Sequence, residues 1–229
     1  MEYTDQRPPA PINKYVRIPV NEVFLLADLQ VPEDASAVVL FAHDGRCRNH
    51  PRNRHVAQIL REKGLGTLLC DLITDDEAAE DEATSKYRND AALLAGRLVG
   101  VTRWVAANPE TKNLRVGYLG ACAGAKAAVI AAADMPDKIG AIVARGAMLE
   151  AATKTLPRVT CPALLIVGGD DTEGIDLNRE ALPLLGGEKD LVVVPGASHL
   201  FGEPGKIKTM ARLSADWFRL HLRDPAPLA

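Results

Sequence analysis

One segment of the sequence combines a nucleophilic side chain with the small neighbours that a sharp turn requires. Cys122 is the centre of Gly120-Ala121-Cys122-Ala123-Gly124, between the apolar run RVGYL and the alanine-rich stretch AGAKAAVIAAA. A nucleophile on such a strand-to-helix turn occupies a strained backbone conformation, and the flanking residues must be small because the two backbones nearly touch. The helix N-terminus also favours a thiolate. The pattern predicts a cysteine nucleophile; the competing interpretation is a small buried cysteine that packs beneath the helix.

A histidine base and a carboxylate that orients it are expected downstream of this turn, in the chain order nucleophile, acid, histidine. His199, in VVVPGASHLF, follows an apolar run, whereas His221 lies near the end of a terminal helix. We therefore predict His199 as the base. The acid should follow the run ALLIVGG, where Asp170 and Asp171 are both available. The Gly168-x-x-Asp171 spacing favours Asp171, with Asp170 as the alternative.

The negative charge that develops during acyl transfer needs two backbone donors. The residue after the nucleophile, Ala123, should supply one N–H group. The loop that follows the run AVVLFAH should supply the other, from Asp44 or Gly45.

Several arginines lie in segments that should border the same site. Arg46 and Arg48 follow directly in the Asp44 loop, with Arg52 and Arg54 beyond, and Arg145 ends the run AIVA. Guanidinium groups pair with carboxylates in bidentate fashion, so Arg46, Arg48 and Arg145 predict binding of an anionic substrate. The alternative is that these arginines are solvated or pair with the acidic stretch 75–82. We expect neither a metal nor an organic cofactor.

Alternating apolar runs and helical periodicities place these residues on an α/β architecture. Apolar runs predict strands, and a tight turn makes the first two antiparallel, whereas strand–helix alternation predicts parallel pairing elsewhere. We expect strands at 16–20, 23–31, 37–42, 67–72, 114–119, 139–144, 163–168 and 190–194, and helices at 54–63, 89–108, 123–133, 178–185 and 204–222. The acidic stretch 74–84 is expected to be a solvated loop or a mobile flap.

Composition narrows the class of protein. The 229 residues carry a net charge of −3, so no basic field attracts nucleic acid. No apolar run reaches the roughly 18–20 residues of a membrane span, and no signal-peptide pattern is visible, which predicts a cytoplasmic protein with reduced cysteines. We predict one domain at 14–223, an irregular lead-in at 1–13 and a flexible tail at 224–229. The oligomeric state is left open.

The motifs FAHDG (41–45), GACAG (120–124), GGDD (168–171) and GASHLF (196–201) resemble the dienelactone hydrolase family of α/β-hydrolases. The resemblance covers about residues 16–222. It implies an α/β-hydrolase fold, a mostly parallel central sheet flanked by helices without a large cap domain. It also implies a Cys122-Asp171-His199 triad that acts on a small-molecule substrate.

Together the residues and the resemblance predict a hydrolase that cleaves an ester, lactone or thioester through an acyl-thioester intermediate. Two alternatives remain. The same intermediate could pass its acyl group to an amine or alcohol, as in an acyltransferase. The chain could also be a catalytically weak scaffold that binds a ligand or senses redox state through Cys122 and Cys47.

Overall fold

A computed structural model describes residues 11–43, 47–147, 149 and 152–223. Its strands are β1 (Ile12–Val20), β2 (Val23–Val31), β3 (Ala37–Ala42), β4 (Gly66–Cys70), β5 (Arg115–Ala121), β6 (Ile139–Arg145), β7 (Ala163–Gly168) and β8 (Lys189–Val194). Its helices are α1 (Pro51–Glu62), α2 (Asp75–Thr84), α3 (Ala91–Ala107), α4 (Ala123–Asp134), α5 (Thr172–Ala181) and α6 (Lys206–His221). Short 3-10 turns occur at Leu156–Arg158 and Leu182–Leu184.

The eight strands form one sheet in the order β1-β2-β4-β3-β5-β6-β7-β8. The pairs β1–β2 and β2–β4 are antiparallel, and every pair from β4 to β8 is parallel. The strand β5 lies in the middle of the parallel part of the sheet. The residues that follow it therefore emerge at the centre of the carboxyl edge, where open α/β sheets bind ligands. The predicted mostly parallel sheet with flanking helices is confirmed.

Helices cover both faces of the sheet, and each face has its own apolar core. On one face, α3 and α4 pack with residues such as Leu94, Leu98 and Val129. On the other, α1 and α6 pack with residues such as Leu60 and Phe218. Each fully buried side chain of this size contributes roughly 1.5–3 kcal/mol. These two layers fix the carboxyl edge on which the site depends.

The prediction of a solvated loop or flap at 74–84 is wrong, because this acidic stretch forms helix α2. Its N-terminus is a capping box. The Glu77 N–H donates to Thr74 Oγ1 at 3.2 Å, and the Thr74 N–H donates to Glu77 Oε2 at 2.8 Å. Arg97 of α3 also donates to Glu77 Oε2 at 2.6 Å. This hydrogen bond lowers the pKa of Glu77, so the carboxylate stays charged and ties α2 to α3.

Other elements differ from the prediction mainly at their ends. Strand β1 begins at Ile12 instead of residue 16, since Ile12 already pairs with Val31 of β2. Helix α5 begins six residues before the predicted start at 178, because Asp171 caps it. Residues 1–10 and 224–229 of the expected lead-in and tail lie outside the described residues. Within the described part of the chain, no helix has the length and apolar character needed to cross a membrane.

Candidate active site

The turn between β5 and α4 has the strained geometry expected of a nucleophile-bearing turn. Cys122 adopts φ 52° and ψ −124°, a left-handed φ that side chains other than glycine rarely adopt. A Cβ at Gly120 would lie 2.4 Å from the Cα of Ala125. A Cβ at Gly124 would lie 2.2 Å from the carbonyl oxygen of Ala42. Both glycines are therefore required for the strand, the helix and the end of β3 to approach this closely.

Three side chains far apart in the sequence meet above this edge. The Sγ atom of Cys122 lies 3.8 Å from Nε2 of His199, and Nδ1 of His199 lies 2.8 Å from Oδ2 of Asp171. The imidazole is 38% exposed and the carboxylate 15% exposed, so the ring is partly accessible to solvent and the carboxylate is mostly shielded from it. The sulfur–nitrogen contact is longer than a tight hydrogen bond, as is common before a substrate is bound. Asp170 takes a different place, with its N–H donating to the carbonyl of Ala197 at 3.0 Å.

The Asp171 carboxylate is held by the helix that it caps. Its Oδ1 atom accepts a hydrogen bond from the N–H of Gly174 at 3.0 Å, which leaves Oδ2 for His199. A Cβ at Gly174 would lie 2.3 Å from Oδ2 of Asp171. Gly174 therefore gives the carboxylate its room, a role that the sequence analysis did not assign.

The loop that carries His199 is fixed by hydrogen bonds on both sides of the histidine. The Ser198 N–H donates to Glu203 Oε2 at 3.0 Å, and the Arg52 guanidinium donates to the carbonyl of Leu200 at 3.1 Å. Hydrogen bonding by Ser198 lowers the pKa of Glu203, so Glu203 accepts as a carboxylate. Gly146 at the end of β6 adds room, since a Cβ there would lie 3.2 Å from Cε1 of His199. The sequence analysis found neither Glu203 nor Gly146, because both act through the folded loop and belong to no local motif.

Of the three residues predicted to supply oxyanion donors, the structure describes Ala123 alone. Ala123 is the first residue of α4, and the N–H of a first helical residue has no acceptor within its own helix. Asp44 and Gly45 lie outside the described residues, as does Arg46. His43, the last described residue before them, lies close to the turn, because a Cβ at Gly124 would also lie 2.7 Å from the Cα of His43.

The two described arginines of the predicted set occupy different environments. Arg48 is 18% exposed, and its Nε donates to Asp71 Oδ2 at 3.2 Å. Its Nη1 lies 3.7 Å from Asp28. Its charge is therefore shared between two carboxylates outside the acidic stretch 75–82. A role for Arg48 in substrate binding stays a prediction.

Arg145 is 5% exposed and lines a small cavity next to the nucleophile turn. Its guanidinium lies over the Phe201 ring, 5.7 Å from the centroid. Arg52 lines the same cavity, and its remaining walls include Phe41, Val56, Leu119, Ile207 and Met210. The cavity thus combines apolar walls with two guanidinium groups.

Cys122 differs from the other three cysteines in exposure. It is partly exposed, whereas Cys47, Cys70 and Cys161 are buried, and the four form no disulfide. Burial raises the pKa of the Cys161 thiol to about 11 and that of Cys70 still further. Those two thiols are protonated near neutral pH and hence poor nucleophiles.

Comparison with known proteins identifies a family for most of the chain. The profile of the dienelactone hydrolase family matches residues 26–219. The crystal structure of a dienelactone hydrolase from Anabaena variabilis is 46% identical, with a TM-score of 0.91 over 94% of this chain and 100% of that chain. A cold-adapted esterase from an Arctic intertidal metagenomic library is 18% identical, with a TM-score of 0.74 over 97% of this chain and 100% of that chain. At that identity the esterase shares the fold alone.

A curated relative from Mycobacterium tuberculosis is longer than this chain. It is 44% identical over 213 residues, which are 93% of this chain and 47% of the relative, and its name reads "Putative phosphoribosyl transferase". The chain therefore spans about half the length of the curated relative that it matches.

Proposed function

The chain belongs to the dienelactone hydrolase family, and on that premise we propose that it is a hydrolase that cleaves a carboxylic ester, lactone or thioester through Cys122. The observation that carries the proposal is the chain of contacts from the Cys122 sulfur to His199 at 3.8 Å and from His199 to Asp171 at 2.8 Å. A thiol, an imidazole and a carboxylate in this order can perform nucleophilic catalysis. No cofactor enters the proposal.

In the first step, Nε2 of His199 accepts the thiol proton and the sulfur attacks the carbonyl carbon, forming a C–S bond. The Asp171 carboxylate accepts a hydrogen bond from Nδ1–H and stabilises the imidazolium. The carbonyl oxygen becomes an oxyanion that accepts a hydrogen bond from the Ala123 N–H and from a second donor, which the proposal assigns to Asp44 or Gly45.

The tetrahedral intermediate then collapses, the C–O or C–S bond to the leaving group breaks, and the imidazolium of His199 protonates the leaving oxygen or sulfur. A water molecule, deprotonated by His199, attacks the acyl-thioester, and Cys122 leaves as the thiol. Because a thiolate is a good leaving group, the tetrahedral intermediate can expel Cys122 instead of the substrate's leaving group. A cysteine therefore suits activated substrates, whose own leaving group departs easily, such as enol lactones, aryl esters and thioesters. A thiol nucleophile also survives best in a reducing compartment, which favours the cytoplasm.

The cavity beside the turn supports a substrate that carries a carboxylate on an apolar body. Arg145 and Arg52 both line it, and a guanidinium can pair with a carboxylate through two parallel hydrogen bonds. The apolar walls would bind the hydrocarbon part. The expected preference is for an ester with a terminal carboxylate over its neutral isostere, measured as kcat/KM for the two substrates.

The direct test compares Cys122→Ala and His199→Ala with the parent on p-nitrophenyl acetate. Each variant should lose about 10³-fold or more in kcat/KM, since the two groups act as one unit. Matched controls are Cys161→Ala and exposed His55→Ala, which should stay within about threefold of the parent. Parent-like rates in both Cys122→Ala and His199→Ala would contradict the proposal.

Two alternatives share Cys122, and each has its own observable. An acyltransferase would form an amide or a new ester in the presence of an amine or alcohol, with product yield rising with acceptor concentration. A redox sensor would form a reversible Cys47–Cys122 crosslink with peroxide, although Cys47 is fully buried. The longer relative is named as a transferase, and this chain matches 47% of that protein.

A further inference from the structure

A second cleft lies between α1 and the antiparallel end of the sheet, away from the Cys122 turn. It is a shallow surface cleft lined by Asp28, Gln30, Arg54, Ala57, Arg61 and Leu69. Its floor is formed by β2 and β4, where Asp28 pairs with Leu69. Its wall is the face of α1 that carries residues 54, 57 and 61, which helical periodicity places on one side. The helix α3 packs on the opposite face of the hairpin, where a Cβ at Gly100 would meet Val20.

Two guanidinium groups line this cleft, and Arg54 lies near enough to the Asp28 carboxylate to counter part of the rise in pKa that burial causes there. Within the described residues, neither Arg54 nor Arg61 forms an ion pair, and Arg61 donates to the neutral Thr67 hydroxyl at 2.9 Å. Partial burial and then the neighbouring Arg54 charge lower the pKa of Arg61. Two like charges on one cleft repel each other, and a bound anion would remove that repulsion.

The floor of the cleft adds a hydrogen-bond acceptor that the protein leaves unused. Asp28 is 7% exposed, and its Oδ1 atom is buried without a hydrogen-bond partner among the described residues. Arg48 lies 3.7 Å from this atom, close enough to offset the charge but too far to donate a good hydrogen bond. A ligand hydroxyl that donates to the Asp28 carboxylate would satisfy this acceptor, since Arg48 offsets its charge without filling its hydrogen-bonding capacity.

An exposed aromatic ring borders the same region. Tyr15 of β1 is directly opposite Asp28 in the strand register, and opposite residues of an antiparallel pair project to the same face. Its side chain is 73% exposed. The cleft thus places two cationic groups, the Gln30 amide, a buried acceptor and an aromatic ring along one short surface.

We propose that this cleft binds a hydroxylated phosphate monoester, such as a sugar phosphate. The phosphate oxygens accept hydrogen bonds from Arg54 and Arg61, and a sugar hydroxyl donates to Asp28. The Tyr15 ring covers the apolar face of the sugar. This binding site is separate from the proposed hydrolytic site and does not depend on Cys122.

The test is isothermal titration of the full chain with ribose 5-phosphate, inorganic phosphate and ribose. Ribose 5-phosphate should bind with a Kd below about 1 mM, inorganic phosphate more weakly, and ribose without measurable saturation. Arg54→Ala and Arg61→Ala should each weaken ribose 5-phosphate binding about tenfold or more, because each removes a charge-assisted donor. Arg212→Ala, which removes an exposed arginine from α6, is the matched control and should bind like the parent.

Arg54 is exposed and forms no ion pair among the described residues, so Arg54→Ala should fold normally, which circular dichroism and the parent Tm would verify. Arg54→Glu should abolish binding in the same fold. No saturable binding of ribose 5-phosphate by the parent, or equal binding by the parent and Arg54→Glu, would overturn the proposal. Equal affinity for ribose 5-phosphate and inorganic phosphate would overturn the role of Asp28.

Discussion

Replacing Asp171 by asparagine should separate its proposed role in catalysis from its role in folding. The side chain is shared between two partners: Oδ1 accepts from the Gly174 N–H at 3.0 Å, and Oδ2 faces Nδ1 of His199 at 2.8 Å. In Asp171→Asn the amide oxygen can keep the Gly174 hydrogen bond, which turns the amino group toward His199. Nδ1 must then accept, so the ring proton moves to Nε2 and points at the Cys122 sulfur. That tautomer cannot take the thiol proton.

The expected loss in kcat is up to about 10⁴-fold, the loss seen when the triad histidine of a serine protease is held in the wrong tautomer. Stability should change little, because asparagine caps a helix about as well as aspartate, and only about 0.3–1 kcal/mol of charge–dipole energy is lost. Asp171→Ala should be as inactive but should also lose the cap, about 1 kcal/mol more, or roughly 2–4 °C in Tm.

The assay is hydrolysis of p-nitrophenyl acetate, with thermal unfolding of the same preparations. Asp170→Asn is the matched control, since the Asp170 backbone, not its side chain, makes the hydrogen bond to Ala197. A parent-like kcat for Asp171→Asn, or an equal loss in Asp170→Asn, would refute the assignment of the acid.

Two further predictions concern the scaffold. Gly124→Ala should destabilise the fold by about 1–3 kcal/mol or more, since the new Cβ would lie 2.2 Å from the Ala42 carbonyl oxygen. In Gly96→Ala the new Cβ on α3 would meet no atom within 4 Å, so this variant should be more stable by about 0.5–1 kcal/mol. Urea unfolding measures the free energy of unfolding of both variants. Equal changes in Gly124→Ala and Gly96→Ala would contradict the argument from close backbone packing at Gly124. Burial raises the Cys161 pKa above its ordinary 9.0 to about 11, so the unfolded chain loses the thiol proton first and stability falls from about pH 9 upward. In Cys161→Ala, the free energy of unfolding should fall less steeply between about pH 8 and 11 than in the parent. An unchanged dependence of the unfolding free energy on pH would contradict this prediction.

The nucleophile turn could be predicted because its requirements are local. Small residues at fixed offsets around Cys122, between a strand pattern and a helix pattern, specify the turn without any knowledge of the fold. The histidine followed from chain order and from the apolar run before it. Which of Asp170 and Asp171 contacts His199 depends on the folded loop, because adjacent residues in a loop differ only in the direction that each side chain takes.

Helix α2 shows where composition misled the prediction. Six acidic residues in ten indicated a solvated loop, yet the Thr74-x-x-Glu77 spacing of a capping box was present in the sequence. The decisive partner, Arg97, lies 20 residues away on α3. Long-range pairs of this kind were not predictable, and Arg48 is a second case: its partners Asp28 and Asp71 approach it only through the strand register.

Mass spectrometry of the acyl-enzyme tests the central proposal most directly. The parent is mixed with excess p-nitrophenyl acetate, quenched in acid within the first turnovers and digested. We predict one acetyl group on the peptide that contains Cys122, removed by neutral hydroxylamine as a thioester should be, and absent from Cys122→Ala. Turnover by the parent without this adduct, or an acetyl group that appears equally in Cys122→Ala, would contradict the proposal.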